Sequence, residues 1–209
     1  MDKQYRSKLI GVREIRSVAL SIDSGEQRGE GDTAEFMFRG CASTTDMAYR
    51  VADALGEYKE TVAAGAFKTT LAEDPEVAFL IEHQGLPLAS TRGGTMKLWE
   101  SDRGLEVEAT LDPTNPMSRQ VISGIMRGDI SEMSYSFRAV KQEWDEEYTE
   151  RLLRAVNIHR GDVSVVTYGA NPHTKIDREH IVDDEDEDEG GYDGHDTEEE
   201  ILTLMQYTI

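Results

Sequence analysis

The stretch Gly128 to Phe137, Gly-Asp-Ile-Ser-Glu-Met-Ser-Tyr-Ser-Phe, constrains the fold most, because a helical spacing stops there and a strict alternation begins. Met133, Tyr135 and Phe137 fall on one face of a strand, and Ser134, Ser136 and Arg138 on the other. One face can pack while the other presents hydroxyls. The helix leading in is well marked. Thr114 or Asn115 can cap it, Pro116 suits its first turn, Gly128 suits its stop, and Val121, Ile122, Ile125 and Met126 supply a buried stripe. A serine near the start of such a strand is held rigidly by the sheet. It becomes a nucleophile only if a base and an orienting acid reach it from elsewhere.

Other segments supply more strands. Gly11 to Ile22 reads as a strand through Val12, Val18, Leu20 and Ile22, and Gly25 to Asp32, with three glycines, reads as a loop. Ala34 to Ala42 places Phe36 and Phe38 on one face of a strand. Ser43 to Val62 reads as an exposed loop with a short helical turn, and Gly65 to Leu71 as a short helix. Glu76 to Gln84 is apolar from Val77 to Ile81, which suits a strand covered on both faces, with His83 at its end. Thr95 to Glu100 and Gly104 to Leu111 form a hairpin around Ser101-Asp102-Arg103-Gly104. Arg151 to Ile158 and the β-branched Asp162 to Tyr168 follow as strands, the second closed by Gly169-Ala170-Asn171-Pro172. Strands outnumber helices and are joined by short turns, so the expected fold class is α+β.

Charge and composition exclude several functions. A net charge of -20 in 209 residues leaves no basic stripe for nucleic acid. Asp183 to Glu200 holds twelve acidic residues and no Lys or Arg, which reads as a disordered acidic tail. Beyond it Ile201, Leu204 and Met205 recur at helical spacing as a short apolar face. Cys41 is the only cysteine, so no internal disulfide or multi-cysteine metal site is expected, and a reducing compartment fits. As a nucleophile Cys41 lacks a histidine that can be placed beside it, and a small buried residue is the plainer reading. No run approaches the roughly 20 apolar residues of a membrane span, and the N-terminus lacks an apolar signal core. The His-Glu-x-x-His pattern is missing, and Glu185, Glu187 and Glu189 stand before Gly190 where a calcium loop needs aspartates or asparagines. No metal and no cofactor is expected.

The candidate constellation is Ser134 as nucleophile, His83 as general base and Asp162 as the residue orienting the imidazole, each at the start or end of an expected strand. In a chain with many serines, spacing alone leaves open that these are three unrelated polar residues, His83 being satisfied by a backbone carbonyl. Ser131 and Ser136 are competing serines, Ser164 reads as a strand hydroxyl with no catalytic part, and His159 is the rival base. Backbone amides around Arg160 and Gly161 are candidate oxyanion donors.

Several landmarks occur in order: Gly40-Cys41-Ala42, Gly65-Ala66-Phe67, Phe79-Leu80-Ile81-Glu82-His83-Gln84-Gly85-Leu86-Pro87-Leu88, Gly104-Leu105-Glu106-Val107, Gly128 to Phe137, and Asp162-Val163-Ser164-Val165-Val166 with Ala170-Asn171-Pro172. Over about Phe36 to His173 the chain thereby resembles the prohead maturation protease family of tailed bacteriophages. The resemblance implies a serine endopeptidase with a small, largely antiparallel β-barrel and flanking helices, similar to herpesvirus assemblins, over about residues 10–175. An acidic tail over 176–209 would follow. It implies action inside an immature capsid in the host cytoplasm, on scaffolding protein or a scaffold segment of the major capsid protein and on the chain itself. The nucleophile falls on Ser134, the base on His83 and the third member on Asp162. Gln84 stands where an aspartate is common, Ser136 replaces a common glycine, and Asp162 is one methylene shorter than the usual glutamate. Similarity to assemblins also suggests a homodimer, although no stretch identifies an interface. Two other readings stay open: a non-catalytic capsid assembly protein that binds scaffold, and a serine hydrolase unrelated to capsids.

Overall fold

The structure, a computed structural model, describes residues 3–18, 22–28 and 35–167. Within them a short 3-10 helix, Lys3–Lys8, precedes twelve strands and two α-helices. The first half holds β1 (Arg13–Val18), β2 (Ile22–Arg28), β3 (Glu35–Thr44), β4 (Ala48–Asp53), β5 (Gly56–Val62) and α1 (Lys68–Ala72). The second holds β6 (Ala78–Ile81), β7 (Gln84–Ser90), β8 (Met96–Glu100), β9 (Gly104–Leu111), α2 (Pro116–Arg127), β10 (Glu132–Trp144), β11 (Glu150–Asn157) and β12 (Asp162–Val166). The class is α+β with strands dominant, as expected.

The strands form two sheets. One runs β4-β5-β11-β10-β12-β6-β7 with β1 also on β10, and the other runs β2-β3-β9-β8. Pairing is antiparallel except between β11 and β5 and between β12 and β6. Strand β10 is the hub, and its register shows how. Arg138 partners both Arg13 of β1 and Asn157 of β11, while Tyr135 partners both Arg16 of β1 and Val163 of β12. A strand residue has only two sides, so β1 occupies one edge of β10, and β11 and β12 follow one another along the opposite edge.

The apolar face of β10 carries Met133, Tyr135 and Phe137 into the core, all at most 1% exposed. The two sheets meet there. Phe38 of β3 packs on Phe79 of β6 with ring centroids 5.3 Å apart, and Tyr135 stacks on Phe137 at 5.1 Å. Leu105, Val107, Ala109 and Leu111 alternate inward along β9 and are fully buried. Helix α2 is capped as expected: the Asn115 side chain accepts from the Met117 amide, and Gly128 takes the left-handed conformation that ends it. Its buried face is Ser118, Val121 and Gly124, with Ile122 and Ile125 packed at the margin.

Other expectations are corrected. The single strand over Gly11 to Ile22 is replaced by β1 and the beginning of β2. The loop expected from Gly25 is strand as far as Arg28, because β2 is held by its ladder to β3, in which Gly25 faces Phe38 and Gln27 faces Phe36. Ser43 to Val62 holds the β4–β5 hairpin rather than a loop with a helical turn. The apolar run before His83 is covered chiefly on one face: Val77 and Phe79 are buried, Ala78, Leu80 and Ile81 only partly. Met126 is 66% exposed and does not belong to the buried stripe of α2. The turn at Gly169 to Pro172, the acidic segment and the terminal apolar face lie outside the described residues. Among the described residues no helix is long and apolar enough to cross a membrane.

Candidate active site

The hydroxyl face of β10 is covered as completely as its apolar face, since Ser134 and Ser136 are both fully buried. Register explains what covers it. Ser17 of β1 and Ser164 of β12 lie directly opposite Ser134 on its two sides, which puts three hydroxyls in one row on one face of the sheet. Asp162 opens β12 two residues before Ser164, and therefore on the same face, beside Ser136.

His83 arrives from the next strand over. Glu82 and His83 are the two residues between β6 and β7, and Ile81 pairs with Gln84 to close the hairpin. Both have positive φ, 50° and 57°, the conformation demanded by the tightest hairpin turns and uncommon outside glycine. Strand β12 holds them there. The Glu82 amide donates to the Val165 carbonyl at 3.1 Å, the His83 amide to Ser164 Oγ at 3.2 Å, and the Thr167 amide to Glu82 Oε1 at 2.7 Å.

Ser134, His83 and Asp162 thus form one line. Ser134 Oγ lies 2.6 Å from His83 Nε2, and His83 Nδ1 lies 2.5 Å from Asp162 Oδ2. The imidazole is 9% exposed and Asp162 3%, so the line reaches solvent at the histidine. With Asp162 ionised, Nδ1 carries the proton and donates, and Nε2 is left to accept from the serine. Burial pushes the Asp162 carboxyl up, but the hydrogen bond and electrostatic attraction of the His83 ring, then the hydroxyls of Ser136 and Ser164, more than offset this and hold it below the usual range.

Several partners were not legible in the sequence. Ser17 Oγ donates to Ser134 Oγ at 3.0 Å, and the Arg16 carbonyl, 3.1 Å away, is a second acceptor for the Ser134 proton. Ser136 donates to Asp162 Oδ1 at 2.7 Å and accepts from the Asp162 amide at 2.9 Å. Ser136 therefore braces the Asp162 carboxylate on its Oδ1 side. Gly161 permits this approach: a Cβ there would lie 2.7 Å from the Ser136 carbonyl oxygen and 2.9 Å from its Oγ. Ser164, read as a bystander, donates to Asp162 Oδ2 at 2.8 Å.

The rival residues lie elsewhere. Ser131 is exposed ahead of β10. His159 is exposed and accepts from the Glu76 amide through Nδ1 at 3.2 Å. The amides of Arg160 and Gly161 donate to the carbonyls of Glu76 and Ile158, so they are engaged inside the fold and not turned toward an oxyanion. Cys41 is buried, its thiol donating to the Ser43 carbonyl at 3.1 Å.

A serine, a histidine and a carboxylate joined in this order form the arrangement used by serine hydrolases with an acid–base triad. The family model described as Caudovirus prohead serine protease matches residues 20–187. The match covers most of the chain, which belongs to that family of serine proteases. No curated protein matches the chain, and no solved structure does.

Proposed function

We propose that this chain is the endopeptidase of prohead maturation, cleaving scaffolding protein or the scaffold segment of the major capsid protein, and itself, inside the immature capsid in the host cytoplasm. The observation that carries this reading is the Ser134–His83–Asp162 line at 2.6 and 2.5 Å in a chain of the prohead protease family. Ser134 Oγ attacks the scissile carbonyl as its proton passes to His83 Nε2, and Asp162 stabilises the imidazolium that results. His83 then gives that proton to the leaving amine. A water molecule, deprotonated by His83, releases the acyl group and restores the serine. Ser17, donating to Ser134 Oγ, helps hold that oxygen in place for the attack.

The proposed fold is an assemblin-like barrel over about residues 10–175, dimeric as in that analogy. The tail over 176–209 docks on scaffold or capsid protein during assembly and is then removed. Mass spectrometry of protein from mature particles tests removal, since an intact Ile209 terminus there counts against it.

Intact mass over time tests the main reading, for wild type beside Ser134→Ala, alone and with the neighbouring scaffold or capsid protein. Trimming by wild type and none by the variant is the expected result. Two chains that both stay intact in the presence of assembled partner would leave a non-catalytic assembly protein as the better description.

A further inference from the structure

We propose that Arg13 is a positioning residue of this site, acting through Asp162; the inference rests on the triad reading above. The Asp162 carboxylate has four hydrogen-bonding sites, two on each oxygen, and the structure fills all four. Oδ2 accepts from His83 Nδ1 and Ser164 Oγ, at 2.5 and 2.8 Å. Oδ1 accepts from Ser136 Oγ at 2.7 Å and from an Arg13 guanidinium nitrogen at 2.9 Å. The same nitrogen lies 3.0 Å from Ser136 Oγ, so Arg13 grips the carboxylate and the hydroxyl that braces it. A carboxylate fixed on both oxygens cannot turn Oδ2 away from the imidazole.

Arg13 is the only permanently charged donor of the four, and it differs from the others in exposure. Its side chain is 50% exposed while Asp162 is 3% exposed, so the guanidinium stands between the carboxylate and solvent. Its strand is tied on at both ends of the relevant stretch. The Gly11 amide donates to the Ala139 carbonyl at 2.9 Å, and β1 pairs with β10 from Arg13 opposite Arg138 to Val18 opposite Met133. Further back Arg6 is buried, bound to Asp53 at 2.7 Å and to the carbonyls of Gly56 and Tyr148. Strand β1 precedes the residues matched by the family model, 20–187. The site therefore extends into a part of the chain that the match does not reach.

The test is the rate at which a fluorophosphonate labels Ser134 in the full chain, for wild type, Arg13→Ala, Arg13→Lys and Arg39→Ala, with thermal unfolding measured beside it. Arg39 is the control, also 50% exposed and paired to a carboxylate, Glu108, on the other sheet. Arg13→Ala is expected to label about tenfold more slowly, the scale of one charge-assisted hydrogen bond. Arg13→Lys should recover part of the rate, and guanidinium ion at a sub-denaturing concentration should accelerate Arg13→Ala alone. Labelling of Arg13→Ala at the wild-type rate would overturn the inference, and so would a loss that follows the unfolded fraction and is not rescued. A wild-type chain that does not label, or a Ser134→Ala chain that does, would instead overturn the triad reading and this inference with it.

Discussion

Strand β1 has two polar faces, and they are built to opposite ends. On one, Arg13 and Ser17 join Ser134, His83 and Asp162 in the line of hydrogen bonds along which the proposed reaction moves a proton from oxygen to nitrogen. On the other, Glu14 and Arg16 meet Glu60 of β5 and Arg151 of β11 in a closed set of two carboxylates and two guanidiniums. Arg16 binds Glu60 at 2.7 Å and Glu14 at 2.7 Å, and Arg151 binds Glu60 at 2.8 Å and Glu14 at 2.6 Å. Burial pushes the Glu60 carboxyl up, but the charges of Arg16 and Arg151, with hydrogen bonds from Arg16 and Tyr49, outweigh it and hold the group at about 2. Burial, and after it the charge of Glu60, pushes the phenol of Tyr49 well above its ordinary value. Guanidiniums do not release protons in the accessible range. The second set therefore fixes strands β1, β5 and β11 to one another and has no proton to offer, and the first set works on the frame it provides.

The comparison can be broken most severely at Asp162. Asp162→Asn is expected to lower the cleavage rate by about 10⁴-fold, the effect of disturbing the tautomer of a triad histidine, with a loss of stability smaller than this effect on the rate. A rate within tenfold of wild type would remove Asp162 from the orienting role. Glu60→Ala should do the reverse. It leaves Arg16 and Arg151 buried with half their partners, and urea unfolding should show a loss of about 3–5 kcal/mol; a loss below about 1 kcal/mol would mean that water relieves the charges.

Acid weakens both faces in the same direction. Glu60 binds its proton more weakly when folded than its ordinary 4.5 would allow, so the stability it contributes is complete above that pH and is lost as pH falls toward about 2. Asp162, also held low, loses its contribution in the same direction. Urea midpoints between pH 6 and pH 2 should therefore decline steeply in wild type and less steeply in Glu60→Gln, and parallel curves would refute the assignment. Gly161→Ala has a smaller expected effect. Its methyl would press on Ser136, costing about 1–3 kcal/mol and loosening Asp162, which combined unfolding and rate measurements would detect. Smallest of all is Arg39→Ala, expected within about 0.5 kcal/mol of wild type by the same unfolding assay.

The ionic face also explains which parts of the fold the sequence disclosed. Strands β3, β9 and β10 were legible because their inward positions are apolar, and α2 because Asn115, Pro116 and Gly128 mark its ends. Strands β4 and β5 were not. Tyr49, Val51, Tyr58 and Val62 point inward, but the inward position between Tyr58 and Val62 is Glu60, and a charge there disguises the alternation. Strand β1 was legible within Gly11 to Ile22, but Glu14 and Arg16 occupy the face that Val12 and Val18 suggested was apolar. At the site, Ser134, His83 and Asp162 could be named from strand ends and family resemblance, but their distances could not. Arg13, Ser17 and Ser136 depend on register between strands far apart in sequence, which no local pattern carries.

That register also sets when a site can exist. His83 sits on a hairpin whose first strand is paired in parallel with β12, with Ala78 opposite Asp162 and Ile81 opposite Val165. Ser134 needs β1 on one side and β12 on the other. Pairings of such long sequence separation form late, because the intervening chain must be ordered first. A ribosome that has made everything up to Gly161 has made Ser134 and His83 but not the strand that lies between theirs. In the reaction proposed above, the triad can therefore be aligned only once β12 has joined the sheet.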